Sequence, residues 1–322
     1  MRHFDVFNGD ADGICALHQL RLERPADATL VTGLKRDIAL LDSVDAAAGD
    51  TVTVLDLSLD RNRAALLRLL ARGVSVQYFD HHEAAPIPPH EGLTAVIDTE
   101  PGTCTSVIVD RFLHGRFRPW AVVGAFGDNQ SGTAIGLARS LGLDAKRVAI
   151  LRELGEDLNY NAYGDSESDV MIAPAELYRL VRGHADPFDF AVREPLVLKL
   201  REERQADLAR ALATHPVRES VGADAWVLPD AAWARRVSGT FANHLAHEEP
   251  ERAHAVLAPD PAGGYTVSVR SPRSGKARAC DLCGRFGGGG RAIAAGIDGL
   301  AADRLVAFMD AFEDEWGRSA PV

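Results

Sequence analysis

The chain has 322 residues, 46% of them apolar and 25% charged, with a formal net charge of −11. This is the balance of a folded chain long enough for two cores, and it excludes a disordered one. The acidic excess argues against a sequence-independent grip on long nucleic acid, which needs Lys and Arg to neutralise phosphates; it leaves room for a small phosphate ligand held by metals and a few arginines.

No run of about 18 apolar residues occurs, so no membrane-spanning helix is expected. The opening stretch MRHFDVFNGDADG turns acidic at once and lacks an apolar signal core, so a cytoplasmic location is expected. Four cysteines, Cys15, Cys104, Cys280 and Cys283, are too few and too scattered for a disulfide framework. The single CxxC reads as a pair of small buried hydrophobes.

In chain order, HFDVF (3–7) reads as a strand followed by a helix from Gly13 to Glu23. TVTVLD (51–56) is a second strand, and RNRAALLRLLARG (61–73) has apolar residues at helical spacing with a glycine stop. VSVQYFD (74–80) and TAVID (94–98) are further strands, and a helix begins near Thr103, the expected capping residue. Helices then run to about residue 183. Residues 188–213 read as a helical connector. Beyond it AWVL (225–228), HAVLA (254–258) and YTVSVR (265–270) are strands, RFGGGGRAIAAG (285–296) is a glycine run opening an Ala-rich helical segment, and 302–316 is a closing helix.

The expected fold is therefore α/β. A doubly wound, mainly parallel N-terminal sheet with helices on both faces (1–186) leads through a helical linker (187–214) to a smaller C-terminal α/β domain (215–322).

Three predicted strands end in acidic groups. The first leads into NGDADG, with Asn8, Asp10 and Asp12; the second ends at Asp56; the third ends at Asp80, followed by His81 and His82. A later apolar stretch, VVGAFGDNQSG, carries Asp128. Ligands of open α/β sheets bind beyond the carboxyl ends of the strands, so these groups converge on one edge. Any one of these motifs alone is an ordinary surface turn or helix cap; their recurrence at successive strand ends is not. Clustered carboxylates repel unless cations neutralise them, and carboxylate with imidazole suits Mn²⁺, Fe²⁺ or Zn²⁺, with Mn²⁺ and Mg²⁺ favoured as oxygen ligands dominate. Two ions bridged by one carboxylate, roughly 3.5–4 Å apart, are the arrangement of two-metal phosphoester hydrolysis.

NGDADG, LDLS, DHH and AFGDN, in this order, resemble the DHH phosphoesterase family of the nanoRNase and RecJ-like superfamily. SVRS (268–271) and FGGGGRAIAAG (286–296) resemble its associated C-terminal domain, and the likeness spans nearly the whole chain. It implies one metal on Asp12, Asp128 and His81, a second on Asp10, and Asp56 bridging them. It also implies His82 facing the scissile phosphate as a proton donor, with Asp80 orienting a histidine. Three positions depart from the family pattern. Val6 stands where many members carry a histidine, Asn8 where RecJ-type members carry an aspartate, and Arg291 replaces the histidine of GGGH. The Asn8 amide oxygen can bind a metal, but more weakly than a carboxylate, so the expected second metal is loose, substrate-recruited or absent.

Arg270, Gly288, Gly289, Gly290 and Arg291 are the expected substrate-binding residues: glycine N–H groups approach a phosphate closely, and guanidinium clamps it. The reading is a metal-dependent phosphodiesterase or phosphatase that attacks a small nucleotide or short single-stranded oligonucleotide with metal-bound hydroxide. Oligoribonucleotides, dinucleotides and nucleoside bisphosphates are the candidate substrates. The alternative is a low-activity nucleotide-binding regulator that keeps the fold. No long-duplex or membrane partner is expected, and a homodimer is left open.

Overall fold

A computed structural model describes residues 1–317 of the chain. It divides into two compact units, residues 1–162 with 171–201, and residues 163–170 with those from 202 onward. No helix among the described residues is long and apolar enough to cross a membrane.

The first unit is built on five parallel strands, β1 (His3–Asn8), β2 (Ala28–Gly33), β3 (Thr51–Leu55), β4 (Ser75–Asp80) and β5 (Leu93–Ile97), in the order β2-β1-β3-β4-β5. The chain runs to one side of β1 and then to the other, so the strand order reverses between β1 and β3. That reversal opens a crevice at the carboxyl edge, where doubly wound sheets bind ligands. The β2 stretch ATLVTG was absent from the sequence-based expectation. It is an edge strand, only partly buried along most of its length, and its apolar signal is correspondingly weak.

Both faces of the sheet are covered. Phe4 and Val6 of β1 and Val52 and Val54 of β3 pack with α2 (Leu59–Ala71) on one side. Phe7 and Leu55 face the opposite core. That core is built by α1 (Ala11–Glu23), α3 (Thr105–Phe112), α4 (Arg118–Gly127), α5 (Ser131–Ser140), α6 (Ala145–Tyr160) and α7 (Pro174–Val181). Burial on both faces explains the nearly continuous apolar character of these strands. One polar pair breaks it: Asp5 of β1 forms an ion pair with Arg21 of α1, whose guanidinium also donates to Thr53 at 3.2 Å.

The expected connector is two helices, α8 (Pro187–Arg193) and α9 (Pro195–Leu212), broken where Glu194 precedes Pro195. Compactness draws the boundaries differently from the expected 1–186, 187–214 and 215–322: α9 is shared between the units, its first part belonging to the first and its residues from Glu202 to the second. Residues 163–170 also join the second unit. There Asp169 pairs with Arg235 at 2.9 Å, and Tyr163 lies where a Cβ on Gly239 would stand.

Among the described residues the second unit carries six strands, β6 (Arg218–Glu219), β7 (Ala223–Val227), β8 (Ala253–Pro259), β9 (Tyr265–Arg270), β10 (Gly289–Gly290) and β11 (Ala294–Leu300), in the order β10-β11-β9-β8-β7-β6. Only the β7–β8 pair is parallel. α10 (Ala232–Glu248) covers one face through Val237 and Phe241; α11 (Ala279–Arg285) and α12 (Leu305–Trp316) cover the other through Leu282, Phe308 and Phe312.

The glycine run overturns one expectation. No helix follows it: Gly289 and Gly290 pair antiparallel with Gly296 and Ala295, closing a hairpin whose turn carries Arg291. A Cβ on Gly288 would lie 2.1 Å from the Gly296 carbonyl oxygen, so glycine permits the close pairing of the two arms. AAGIDGL is short and begins in an alanine-rich stretch, which mimics a helix. Its buried Ala295 and Ile297 lie two residues apart, the spacing of a strand.

His18 of α1 is 1% exposed, bonded through Nε2 to the His184 carbonyl oxygen at 2.7 Å and packed edge-on against Trp120. Burial lowers its pKa from 6.5 to about 4. Above pH 6.5 the ring is neutral in both folded and unfolded chains. Between 6.5 and 4 only the unfolded chain takes the proton, so stability falls by up to about 1.4 kcal/mol per pH unit from this group. His18→Gln keeps a donor for the carbonyl and removes this contribution. Urea midpoints compared at pH 7 and pH 5 should drop less in the variant than in the wild type.

Candidate metal centre

NGDADG leaves β1 and starts α1. Asp10 is the N-cap of α1, its Oδ1 accepting from the backbone N–H groups of Asp12 at 3.0 Å and Gly13 at 3.1 Å. Both glycines of the motif are forced by proximity. A Cβ on Gly9 would lie 2.2 Å from the Gly33 carbonyl oxygen, and one on Gly13 would lie 2.2 Å from that of Asn8.

Asp12 caps a second helix from outside its own element. Its carboxylate accepts from the N–H groups of Thr105 at 2.7 Å and Ser106 at 2.8 Å, the first two residues of α3. Cys104, at the N-cap of α3, makes no side-chain cap bond, so Asp12 satisfies these N–H groups in its place. Thr103 is thus not the capping residue that the sequence suggests. Its carbonyl oxygen instead receives His81 Nδ1 at 3.1 Å.

That bond orients the imidazole. With Nδ1–H donated to a carbonyl, Nε2 points into the cluster, 3.4 Å from Asp56 Oδ1. Asp56 follows β3 in the left-handed region at φ 59°, where aspartate is one of the few side chains that rest with little strain. Thr105 Oγ1 donates to Asp56 Oδ1 at 3.0 Å. Ligand atoms of Asp56, His81 and His82 all lie within 4.8 Å of one another.

Asp128 reaches the cluster through close helix packing. It ends α4, and a Cβ on the preceding Gly127 would lie 2.3 Å from Ala11 Cβ and 2.9 Å from the Gly155 carbonyl oxygen. Gly124, one turn earlier, leaves room for the Ser106 side chain in the same way. These glycines let α4 press against α1, α3 and α6, bringing Asp128 near Asp12 at the sheet edge.

The charges are strongly coupled. Burial, reinforced by the charges of Asp56 and Asp128, pushes the Asp12 carboxyl up to about 6. Burial works against the charged form of His81, but its bond to Asp56 and the surrounding carboxylates push it up to about 10. Three carboxylates and one imidazole with its outer nitrogen already held are a donor set that fits a divalent cation of the Mn²⁺ type.

Asp80 is fully buried at the end of β4 and bonds His82 Nδ1 at 2.7 Å, leaving Nε2 of this half-exposed ring for other partners. Burial lowers the His82 pKa, but the Asp80 carboxylate outweighs it and the net shift is upward. Asn8 uses both amide atoms on the backbone: Oδ1 accepts from Asp10 N at 3.1 Å and Nδ2 donates to Lys35 O at 3.2 Å. Lys35, just beyond β2, forms an ion pair with Asp10 Oδ2. The partly buried β2 has a weak apolar pattern, so nothing in the sequence marks Lys35; a strand there puts TGLK at the same edge as the other motifs.

In the second unit, Arg270 ends β9. Its Nε donates to Asn243 Oδ1 at 2.9 Å and Nη1 to Val269 O at 3.0 Å. Among the described residues no carboxylate lies within ion-pair distance of it. Burial lowers its pKa, and the nearby charge of Arg291 adds to the shift.

Gly127→Ala should destabilise the first unit by about 1–3 kcal/mol, the scale of an overpacked helix contact. A urea titration should show a lower midpoint with an unchanged slope.

No family model and no curated protein matches the sequence. Solved structures do. A manganese-bound RecJ exonuclease superposes with a TM-score of 0.59 at 18% identity, covering 99% of this chain and 91% of that one. RecJ of Thermus thermophilus with Mn²⁺ gives 0.58 at 19% identity over 97% of this chain, which spans 51% of the larger protein. PggH of Vibrio cholerae, a pGpG-specific phosphodiesterase, gives 0.54 at 14% identity over 97% of both chains. The chain thus shares the fold of these solved structures, with the motif residues at the carboxyl edge of its parallel sheet.

Proposed function

We propose that the protein is a metal-dependent phosphoesterase that hydrolyses a small nucleotide or short oligonucleotide. The observation that carries the reading is the convergence of Asp12, Asp56, His81 and Asp128 beyond the carboxyl ends of β1 and β3, with His81 Nε2 turned toward Asp56 by the Nδ1 bond. Buried carboxylates crowded to this degree call for a cation as a working part of the centre. The likeness of fold to RecJ exonuclease and to a pGpG-specific phosphodiesterase supports phosphodiester chemistry on nucleotide substrates.

Asp12, Asp56, His81 and Asp128 would hold a divalent ion, with Mn²⁺ favoured by the mixed oxygen and nitrogen donors. Such an ion supplies Lewis acidity toward a phosphoryl oxygen and makes a water acidic enough to attack near neutral pH. His82, fixed through Nδ1 by Asp80, offers Nε2–H to the substrate phosphate or to the departing oxygen. The Asp80 carboxylate, which outweighs burial, favours the protonated ring that carries this donor.

In the second unit a half-buried arginine beside a second one suits an anion, because a guanidinium removed from water needs a compensating charge. A nucleotide phosphate is a natural ligand, which Arg270 and Arg291 would grip. The glycine hairpin that carries Arg291 leaves space for a nucleoside, so nucleotides and short RNA suit this arrangement better than inorganic pyrophosphate.

The test is a Mn²⁺-dependent screen of dinucleotides, short single-stranded RNA, cyclic dinucleotides and 3′-phosphoadenosine 5′-phosphate, scored by phosphate release and chain shortening. Absence of turnover on every one of them would reject the reading. Asp56→Asn should abolish turnover while the protein stays folded, since asparagine also tolerates the left-handed backbone at this position. Circular dichroism with a single-turnover assay checks both halves of this statement. Arg291→Ala should raise KM about fivefold or more and leave kcat nearly unchanged, the pattern of lost uniform binding. Steady-state kinetics on the best dinucleotide from the screen separates the two.

A further inference from the structure

Asp10 stands where the resemblance to the DHH family places a ligand for a second metal ion. In this chain a cation already stands on one of its oxygens. Oδ1 holds the first turn of α1 through two backbone N–H groups, and Oδ2 holds the ammonium of Lys35. Asp10 is 2% exposed, so this ion pair is shielded from solvent on its acidic side.

Lys35 is also positioned from both ends of its peptide. Its N–H donates to the Ala162 carbonyl oxygen at 3.0 Å, and its own carbonyl oxygen receives the Asn8 amide at 3.2 Å. Asn8 is thereby committed to fixing the lysine and the α1 turn. Val6 is fully buried in the apolar core under the sheet and offers no ligand. Of the three positions around this site, Val6 is apolar, Asn8 is bound to backbone, and Asp10 is paired with a cation.

We propose that the Lys35 ammonium replaces the second metal ion, so that the centre holds one divalent ion per chain, on Asp12, Asp56, His81 and Asp128. The inference rests on the reading of that cluster as a metal centre. Lys35 and Asp10 cancel each other's charge. A divalent ion added at Asp10 would have to displace the ammonium or sit against it, and either is unfavourable in a partly buried site. The three remaining carboxylates still provide ample charge for one ion. Lysine can perform part of the missing ion's task, since an ammonium is a compact positive charge whose N–H groups can donate to a phosphoryl oxygen.

The experiment counts bound ions on the full chain. Metal-free wild type, Lys35→Gln and Lys35→Arg are titrated with Mn²⁺, with free ion followed by electron spin resonance and total binding by calorimetry. The expected result is one ion in wild type and in Lys35→Arg, and a second, weaker ion in Lys35→Gln. That second ion should bring the broadened resonance of a coupled Mn²⁺ pair. Two ions in the wild type would overturn the proposal and leave the phosphoesterase reading intact. One ion of unchanged affinity in Lys35→Gln would overturn it as well, by showing that the lysine excludes nothing. If Lys35→Gln fails to fold, the wild-type count decides the matter. A wild type that binds no Mn²⁺ would reject the metal centre itself.

Discussion

Asp12, Asp56 and Asp128 are buried close to one another, and most of what surrounds them answers that repulsion. Like charges in a buried site raise each other's pKa, as the Asp12 carboxyl shows. The protein does not relieve the repulsion by moving them apart. It supplies compensating partial charges instead: the N-terminus of α3 at Asp12, the Thr105 hydroxyl at Asp56, and the His81 imidazole beside all three. Such a site stores an affinity for cations.

Keeping the carboxylates together requires backbone to approach backbone more closely than side chains ordinarily permit. Gly9, Gly13, Gly124, Gly127 and Gly155 each mark a contact where a Cβ would meet a neighbour at under 2.4 Å. They surround the start of α1 like spacers of zero thickness. The same crowding explains why single groups serve two ends. Asp10 caps α1 and binds Lys35; Asp12 caps α3 and faces the ligand crevice; Asn8 pins Asp10 on one side and Lys35 on the other. Stability and chemistry are hence not separable here, and an exchange of one motif residue disturbs a helix start as well as a charge.

The second unit solves a milder form of the same problem with the sign reversed. Arg270 is anchored by neutral acceptors, the Asn243 amide oxygen and a backbone carbonyl, which fix its plane without cancelling its charge. A carboxylate at that spot would have silenced it. The glycine hairpin works through the absence of side chains, as the helix contacts of the first unit do, but it uses that absence to pair two short strands tightly.

The alternating strand and helix pattern, and the recurrence of acidic residues at strand ends, were readable from the chain alone. Both depend on short-range periodicity: a strand buried on two faces is apolar throughout, and its end is marked by the first polar residues. DHH and NGDADG therefore located the candidate metal-binding edge before any coordinates. Other features depend on contacts across long sequence separations, which periodicity does not encode. The edge strand β2 lacks a strong apolar signal, so Lys35 was invisible as a partner of Asp10, 25 residues away. The Ala-rich stretch after the glycines favours a helix locally, but pairing with β9 and β10 makes it a strand. Asp12 capping α3 joins residues 93 apart, and nothing at Cys104 announces that its helix is capped from elsewhere. The sequence by itself determined which groups are candidates for the chemistry, because their identity and order are local. Only the tertiary structure decided which of them face one another and which are already satisfied, because hydrogen bonding and burial are set by neighbours distant along the chain.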